Sequence, residues 1–274
     1  NFGHNTKEAD YILSGTWSKK AIAEASKIIK VNTIATSEGK SFSYAPDYKD
    51  WPISDNAAYV HYCPNETIQG VAYHEIPNIN KPLIADASSV ILSEPLDVNK
   101  FSLIYAGAQK NIGPAGLTII IIDRDFMEYG NPNIPNILKY SEHSLSESML
   151  NTPPTFAWYM AGKVFKWIKD SGGLDYFKTQ NHKKASKLYE FIDNSSFYSN
   201  NVDSVNRSIM NVPFLLANDD LDKTFLSEAE DNELINLKGH RSVGGMRASI
   251  YNAMPLEGVE ELIKFMEHFE STYG

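Results

Sequence analysis

The chain has 274 residues, of which 42% are hydrophobic and 22% are charged, a composition that excludes collagenous, disordered and coiled-coil proteins. Its formal net charge of -9 argues against nucleic acid or an anionic membrane as the main partner. The single cysteine cannot form an intramolecular disulfide, and the longest apolar run is far shorter than the roughly 20 residues that span a bilayer. We therefore expect a cytoplasmic protein without a membrane span.

The first part of the chain alternates between one helix signal and several short apolar segments. Helical spacing of apolar residues runs over 19–29, after Ser and Thr residues that can cap a helix. Strands are predicted at 31–35, 58–63, 82–86, 103–105 and 117–122. Near-continuous apolar character is typical of strands covered on both faces, so residues 1–172 are predicted to form a helix-flanked α/β domain.

A long amphipathic helix is predicted over 154–171, ended by Gly172 and Gly173. Its apolar stripe consists of Phe156, Tyr159, Met160, Val164, Trp167 and Ile168. Beyond it, helices at 175–194, 217–232 and 256–273 and strands near 208–216 and 249–252 predict a smaller α+β domain over 173–274.

Lys110 lies in a turn of small residues and glycines between two apolar segments. An amine held between buried strands loses solvation, which disfavours its charged form and makes it a candidate nucleophile or Schiff-base former. The alternative is a loop lysine whose aliphatic stem covers apolar atoms while its ammonium reaches water.

Asp86 ends a predicted strand 24 residues before Lys110, which leaves room for one crossover between adjacent parallel strands. Ligands of α/β sheets collect at strand ends, and a carboxylate there can keep a pyridinium nitrogen protonated. The alternative is a helix N-cap, since two serines follow closely.

Further segments suggest anion binding. Segments 65–70 and 151–154 are predicted to offer backbone N–H groups to a phosphate. Segment 238–247 concentrates His240, Arg241 and Arg247 among glycines, and guanidinium groups match carboxylate and phosphate geometry. The alternative is a solvated surface turn.

Trp17 is either a core residue or a surface for ring stacking. Cys63 is expected to be a small core residue, and the histidines show no metal-ligand spacing.

Four motifs together carry a family resemblance. They are Cys-Pro-Asn-Glu-Thr at 63–67, Ala-Gly-Ala-Gln-Lys-Asn-Ile-Gly-Pro-Ala-Gly at 106–116, Asn-Thr-Pro-Pro-Thr at 151–155, and Gly-His-Arg at 239–241 with Gly-Gly-Met-Arg-Ala-Ser at 244–249. With them the chain resembles the phosphoserine aminotransferase family, aminotransferase class V, over essentially its whole length. The resemblance implies the fold of PLP-dependent transferases of fold type I: a large helix-flanked mixed-sheet domain and a smaller C-terminal α+β domain.

The resemblance also implies a set of site residues and the cofactor pyridoxal 5'-phosphate. Lys110 would form the Schiff base, Asp86 would pair with the pyridine nitrogen, Trp17 would stack on the ring, and Thr67 would bind near its phenolic oxygen. Gln109 would contact the cofactor phosphate, as would Asn151 and Thr152 from the other subunit of a homodimer. Arg247 would bind the substrate α-carboxylate, and His240 and Arg241 its phosphate or side-chain carboxylate.

The implied reaction transfers an amino group from L-glutamate to 3-phosphohydroxypyruvate in serine biosynthesis, and the family also serves a step of pyridoxine biosynthesis. Family members carry a segment before the position of Asn1 with a glycine-rich turn for the cofactor phosphate, so we expect a truncated chain with weakened cofactor binding. The alternatives are a non-catalytic fragment of that enzyme or another class V activity, since a fold alone does not fix a reaction.

Overall fold

The computed structural model describes all 274 residues. The strands are β1 (Glu8–Leu13), β2 (Lys30–Thr36), β3 (Val60–Tyr62), β4 (Asn65–Glu66), β5 (Val71–Ala72), β6 (Leu83–Asp86), β7 (Leu103–Gly107), β8 (Thr118–Ile122), β9 (Tyr198–Ser199), β10 (Asn211–Leu216) and β11 (Met246–Ser249). The α-helices are α1 (Thr16–Ala25), α2 (Arg124–Glu128), α3 (Tyr140–Leu145), α4 (Thr155–Asp170), α5 (Gly173–Asn194), α6 (Asp222–Asp231) and α7 (Leu256–Tyr273). Every helix is either too short or too polar to cross a membrane.

Six strands form one mixed sheet in the order β2-β1-β3-β6-β7-β8. The first five are parallel, and β8 runs antiparallel to β7. Side chains of alternate residues enter two separate hydrophobic clusters, one around Ile12, Val60 and Ile104 and the other around Tyr11, Ile84 and Leu103. Because the carboxyl ends of parallel strands meet at one edge, the loops that follow these strands converge there.

Strand β1 is not among the strands predicted from the sequence. The reason is Asp10, which places a fully buried carboxylate in the middle of an otherwise apolar strand. That carboxylate accepts hydrogen bonds from the backbone N–H and the hydroxyl of Ser54, at 2.7 and 2.9 Å, and from the amide of Asn32 at 2.9 Å. These bonds offset the cost of burying the charge, so the strand forms despite its polar residue.

The first helix begins and ends earlier than its apolar spacing predicts. It covers Thr16–Ala25 instead of 19–29, and Ile28 is 85% exposed. The chain turns after Ala25 because it must enter β2 at Lys30, beside β1. The tertiary constraint therefore overrides the local helical pattern.

The C-terminal part builds a second layer, in which α5, α6 and α7 pack on the antiparallel sheet β11-β10-β9. A cluster of 23 buried residues forms its core. The helix predicted at 256–273 is confirmed as α7. The last strand is β11 (Met246–Ser249), three residues earlier than predicted, because Asn211 pairs with Ser249 at the end of the β10–β11 ladder.

The apolar stripe predicted for α4 is only partly buried: Ile168 is buried and Met160 and Val164 are half-buried, but the three aromatic residues are exposed. Phe156 and Tyr159 are 70% and 59% exposed, and Trp167 is also exposed, whereas the buried residues of this helix include Ala157 and Ala161. The helix bounds and the stop at Gly172, with φ of 111°, agree with the prediction. An aromatic face of α4 therefore remains open to contact.

Buried amides join the turns of the six-stranded sheet to the C-terminal elements. The side chain of Asn111 accepts a hydrogen bond from the backbone N–H of Asn252 at 3.0 Å and donates one to the carbonyl of Ile91 at 3.1 Å. The Asn252 side chain donates to Leu92 and accepts from Asn181, each at 2.8 Å. These bonds fix the turn that carries Lys110 against both parts of the chain.

Candidate active site

Asp86 and the turn of Lys110 lie at the carboxyl ends of neighbouring strands. β6 and β7 are parallel neighbours, as predicted, and Asp86 pairs in register with Tyr105. Asp86 is not a helix N-cap, because turns rather than a helix follow it. Its Oδ1 accepts from the N–H and hydroxyl of Ser88, at 3.1 and 2.6 Å, while no hydrogen bond of the chain occupies Oδ2. One carboxylate oxygen thus remains available for a ligand.

The Lys110 ammonium lies 5.6 Å from the centre of the Trp17 ring. Burial lowers the pKa of Lys110, an effect that Asp86 and Cys63 oppose and that the positive charge of Arg247 reinforces. A lowered pKa increases the fraction of neutral amine near neutral pH, and the neutral amine is the nucleophilic form. The environment of Lys110 therefore favours the reactive state of the side chain.

The opposing charges give a testable pair of variants. Asp86→Asn is expected to lower the pKa of Lys110 further, because it removes the anion that stabilises the ammonium, and Arg247→Met is expected to raise it. The measurement is the pH dependence of Lys110 modification by an amine-selective reagent, followed by peptide mass analysis. Equal midpoints in the two variants would contradict this description of the site.

The side chains of Trp17 and Thr67 meet directly, although 50 residues separate them. The indole Nε1–H of Trp17 donates to the hydroxyl of Thr67 at 2.7 Å. Trp17 lies in the first turn of α1, and Thr67 follows β4. The ring of Trp17 is 37% exposed and faces Lys110, so it is not a core residue; ring stacking on it stays a prediction.

Segment 65–70 forms the short strand β4 and the turn that leads to β5, and in this turn the N–H of Gly70 donates to the Glu66 carbonyl at 2.8 Å. Anion binding by the backbone N–H groups of this segment stays a prediction. Its side chains act as acceptors, since Glu66 and Gln69 bind the N–H groups at the start of α1. Sequence reasoning missed both roles because the partners are about fifty residues away.

Arg247 reaches the same place from β11. Its guanidinium donates to the carbonyl of Thr67 at 3.2 Å, and its Nε is buried without a hydrogen-bond partner. His240 and Arg241 lie in the turn before β11, where His240 hydrogen-bonds Ser242 at 2.7 Å and Arg241 is exposed. Arg247 therefore joins the other site residues, whereas Arg241 stays on the surface of this chain.

The remaining predicted residues are exposed. Gln109 precedes Lys110 and packs over Gly107, where an added Cβ would lie 2.7 Å from the Gln109 amide oxygen. Asn151 and Thr152 lie in the loop before α4, and the Asn151 side chain donates only to the Thr152 carbonyl, at 3.2 Å. Within one chain, neither Asn151 nor Thr152 contributes a hydrogen bond to the site around Lys110.

The residues at this edge fit pyridoxal phosphate. They supply a carboxylate for the ring nitrogen, an amine for the carbonyl carbon, a flat ring for stacking and a hydroxyl donor. Buried polar atoms without partners occur at the same edge: the hydroxyls of Ser14 and Ser37, which follow β1 and β2, and the Nε of Arg247. Unpaired buried polar atoms are rare in folded proteins, and a polar ligand would satisfy them.

Cys63 is a buried core residue beside this site. Burial raises the pKa of its thiol well above the ordinary value, and the nearby carboxylates of Glu66 and Asp86 add to this effect. A thiol in that state is a poor nucleophile. Cys63 is therefore a core residue, as predicted.

The chain matches known proteins along almost its whole length. The model of the family "Aminotransferase class-V" matches residues 4–262. The phosphoserine aminotransferase of Hahella chejuensis is 55% identical over 96% of this chain and 73% of its own length, and that of Acinetobacter baylyi is 54% identical over 99% and 76%.

Solved structures agree. The phosphoserine aminotransferase of Bacillus circulans subsp. alkalophilus superposes with a TM-score of 0.97 at 44% identity, over all of this chain and 76% of its own. A pyridoxal-phosphate-bound phosphoserine aminotransferase from Trichomonas vaginalis gives 0.91 at 40% identity, over 97% of this chain and 77% of its own. The predicted fold class, family and cofactor are confirmed: the chain belongs to the phosphoserine aminotransferases of aminotransferase class V.

Proposed function

We propose that the site built on Lys110 transfers the amino group of L-glutamate to 3-phosphohydroxypyruvate, which yields 2-oxoglutarate and O-phospho-L-serine. The observation that carries this proposal is the half-buried amine of Lys110 facing the Trp17 ring, beside the strand end that bears Asp86. The family to which the chain belongs supports the choice of substrates.

Four side chains would hold the cofactor. Asp86 would pair with the pyridine nitrogen through its free oxygen, and Trp17 would stack on the ring. Thr67 would bind near the phenolic oxygen, and Gln109 would contact the phosphate. Each assignment is supported by the position of the residue at the carboxyl edge of the sheet or in the loops that meet there.

Bound pyridoxal phosphate supplies an electron sink that stabilises negative charge at the substrate Cα. The neutral Nζ of Lys110 removes the Cα proton and later returns a proton, and its lowered pKa suits both tasks. The carboxylate of Asp86 keeps the ring nitrogen positive. The partly buried environment around Lys110 limits competing water at the reacting carbon.

Arg247 would bind the α-carboxylate of both substrates, since its Nε is buried and has no partner within the chain. A guanidinium fork matches a planar carboxylate. His240 and Arg241 would bind the phosphate of one substrate and the side-chain carboxylate of the other. The exposed position of Arg241 and the half-buried one of His240 suit recognition of an anion that arrives from solvent.

A substrate assay tests the proposed function directly. Purified protein with added pyridoxal phosphate is expected to form 2-oxoglutarate from L-glutamate over many turnovers only when 3-phosphohydroxypyruvate is present to accept the amino group. Alanine with glyoxylate is the comparison for another class V activity. A faster reaction of alanine with glyoxylate than of L-glutamate with 3-phosphohydroxypyruvate would contradict the assignment. The same holds if the unaltered protein forms 2-oxoglutarate no faster than a Lys110→Ala protein does.

We further propose the division into residues 1–172 and 173–274. It is supported by the hydrophobic clusters, because the 23-residue cluster draws only on residues from Ala185 onward, whereas the clusters at the six-stranded sheet draw on residues up to Ala161. Each part therefore has a core of its own.

We also propose that two copies of the chain form a homodimer in which Asn151, Thr152, His240 and Arg241 serve the partner's site. The exposed aromatic residues of α4 support this, because large apolar patches on a soluble protein mark interaction surfaces. Exposed residues before α4, such as Leu145 and Met149, extend the patch.

Subunit mixing tests the dimer. Neither the Lys110→Ala nor the Arg241→Ala protein is expected to turn over substrate well. A mixed dimer regains one of its two sites, because the intact Lys110 of one subunit meets the intact Arg241 of the other. Random exchange makes about half of the dimers mixed, so the upper expectation is about a quarter of wild-type activity. Light scattering after chromatography measures the mass, with Phe156→Asp as the variant expected to dissociate the dimer. A monomeric active protein would rule out shared sites.

A further inference from the structure

The first turn of α1 is capped by residues from a distant segment. The helix has Gly15 at its N-cap position, so no side chain of that residue can accept its free N–H groups. The N–H groups of Trp17 and Ser18 instead donate to the two carboxylate oxygens of Glu66, at 2.8 and 2.7 Å. The N–H of Thr16 donates to the Gln69 amide oxygen at 3.1 Å.

Glu66 is fully buried and forms no ion pair with a lysine, arginine or histidine. Burial raises the pKa of its carboxyl group, and the hydrogen bonds from Ser18 and Trp17 counteract this effect. A buried carboxylate without a cation is costly, and the positive end of a helix dipole is one of the few groups that offsets the cost. The residue therefore has a specific structural task at α1.

The same contact connects two site residues. Glu66 binds the backbone of Trp17 and is followed in sequence by Thr67, whose hydroxyl accepts from the Trp17 indole at 2.7 Å. Backbone and side chain of Trp17 are thus held by consecutive residues. Gly15 leaves room for this arrangement, since a Cβ there would lie 2.5 Å from the Glu66 carboxyl carbon.

We propose that Glu66 is a positioning residue, whose carboxylate clamps the first turn of α1 to segment 66–69 and so fixes the Trp17 ring and the Thr67 hydroxyl before the cofactor binds. This inference rests on the proposed roles of those two residues. It also means that the N–H groups at the start of α1 are occupied, so this helix end does not bind a phosphate.

Hydrogen exchange of the Trp17 indole N–H, in protein without cofactor, measures the clamp. Its NMR signal is assigned by its loss in Trp17→Phe. Glu66→Gln keeps the shape of the side chain but points an amide NH₂ at one backbone N–H, so one charge-assisted hydrogen bond is lost and exchange should accelerate roughly tenfold. Glu66→Ala loses both hydrogen bonds and should accelerate exchange roughly a hundredfold. The exposed Glu38→Gln is the matched control and should leave exchange unchanged.

Cofactor affinity is the second measurement. The dissociation constant for pyridoxal phosphate, followed by absorbance, should rise roughly tenfold in Glu66→Gln, because the ring-stacking and hydroxyl groups are no longer fixed in advance. Gly15→Ala should act like Glu66→Gln, since it displaces the carboxylate without removing its charge. This variant keeps the test valid if Glu66→Ala does not fold.

Three results would overturn the proposal. The first is an unchanged rate of indole N–H exchange at Trp17 in the Glu66 variants. The second is an equal acceleration of exchange at the distant indoles of Trp51, Trp158 and Trp167, which would indicate global destabilisation. The third is faster exchange at Trp17 with an unchanged cofactor affinity. The proposed function has a separate readout, the formation of 2-oxoglutarate by the unaltered protein, which involves no Glu66 variant. Failure of one is therefore distinguishable from failure of the other.

Discussion

Lys110→Ala is expected to lower turnover by at least about 10³-fold, because the substitution removes the group that moves the proton, and positioned acid–base groups alone contribute 10²- to 10⁴-fold. Loss of the covalent link to the cofactor adds to this effect. Folding should be little affected, since the Lys110 ammonium makes no hydrogen bond or ion pair within the chain. The measurement is the rate of 2-oxoglutarate formation at saturating cofactor.

Lys20 provides the matched control. Its ammonium lies 4.6 Å from the centre of the Trp17 ring, closer than that of Lys110, but the residue is exposed on α1. Lys20→Ala should therefore retain most of the activity. Borohydride reduction of the cofactor-loaded protein followed by peptide mapping should label Lys110. A label on Lys20, or on the buried Lys184, would refute the assignment.

Acid is expected to destabilise the fold through His61, by on the order of 2–3 kcal/mol, because the folded chain keeps this imidazole neutral at pH values where the unfolded chain protonates it. The imidazole is buried on β3, its Nε2 hydrogen-bonds the Tyr105 hydroxyl at 2.9 Å, and its Nδ1 has no partner. Burial lowers the pKa of His61 from 6.5 to about 4, partly opposed by the negative charge of Asp86.

The direction of the effect follows from proton binding. Between pH 6.5 and about 4 the unfolded chain binds a proton at His61 that the folded chain does not. The free energy of unfolding therefore falls as the pH falls through this window, and the full contribution is present above pH 6.5. Below about pH 4 both states are protonated and the loss is complete.

Urea unfolding at pH 7.5 and pH 4.5 measures this contribution in wild type, His61→Gln and His268→Gln. The decrease in unfolding free energy between the two pH values should be smaller by about 2–3 kcal/mol in His61→Gln than in wild type. The exposed His268→Gln should behave like wild type. An equal decrease in all three proteins would show that His61 is not the group responsible.

Local sequence was sufficient where the structural signal is short-ranged. α7 has the bounds that its apolar periodicity predicts, and the strands that end near Asp86 and precede Lys110 were found from apolar runs bounded by turns. Because a crossover of that length joins parallel neighbours, the closeness of these two strand ends was also predictable. Four short motifs between residues 63 and 249, one of them around Lys110, identified the family.

Tertiary contacts decided the features in which a residue depends on a distant partner. Asp10 is tolerated in β1 only because Ser54 and Asn32 satisfy it, so the strand could not be found from its own residues. The apolar stripe of α4 has the pattern of a buried face, yet its aromatic residues Phe156, Tyr159 and Trp167 stay exposed, because periodicity does not specify what covers a helix.

The site itself divides in the same way. Residue types alone identified Lys110 and Asp86 as a possible amine and acid pair, since their spacing is set by one crossover. The contact between Trp17 and Thr67, the reach of Arg247 to the Thr67 carbonyl and the capping of α1 by Glu66 span separations of 48 to 180 residues. Such contacts depend on how the sheets and helices pack, and packing is a property of the whole chain rather than of any local pattern.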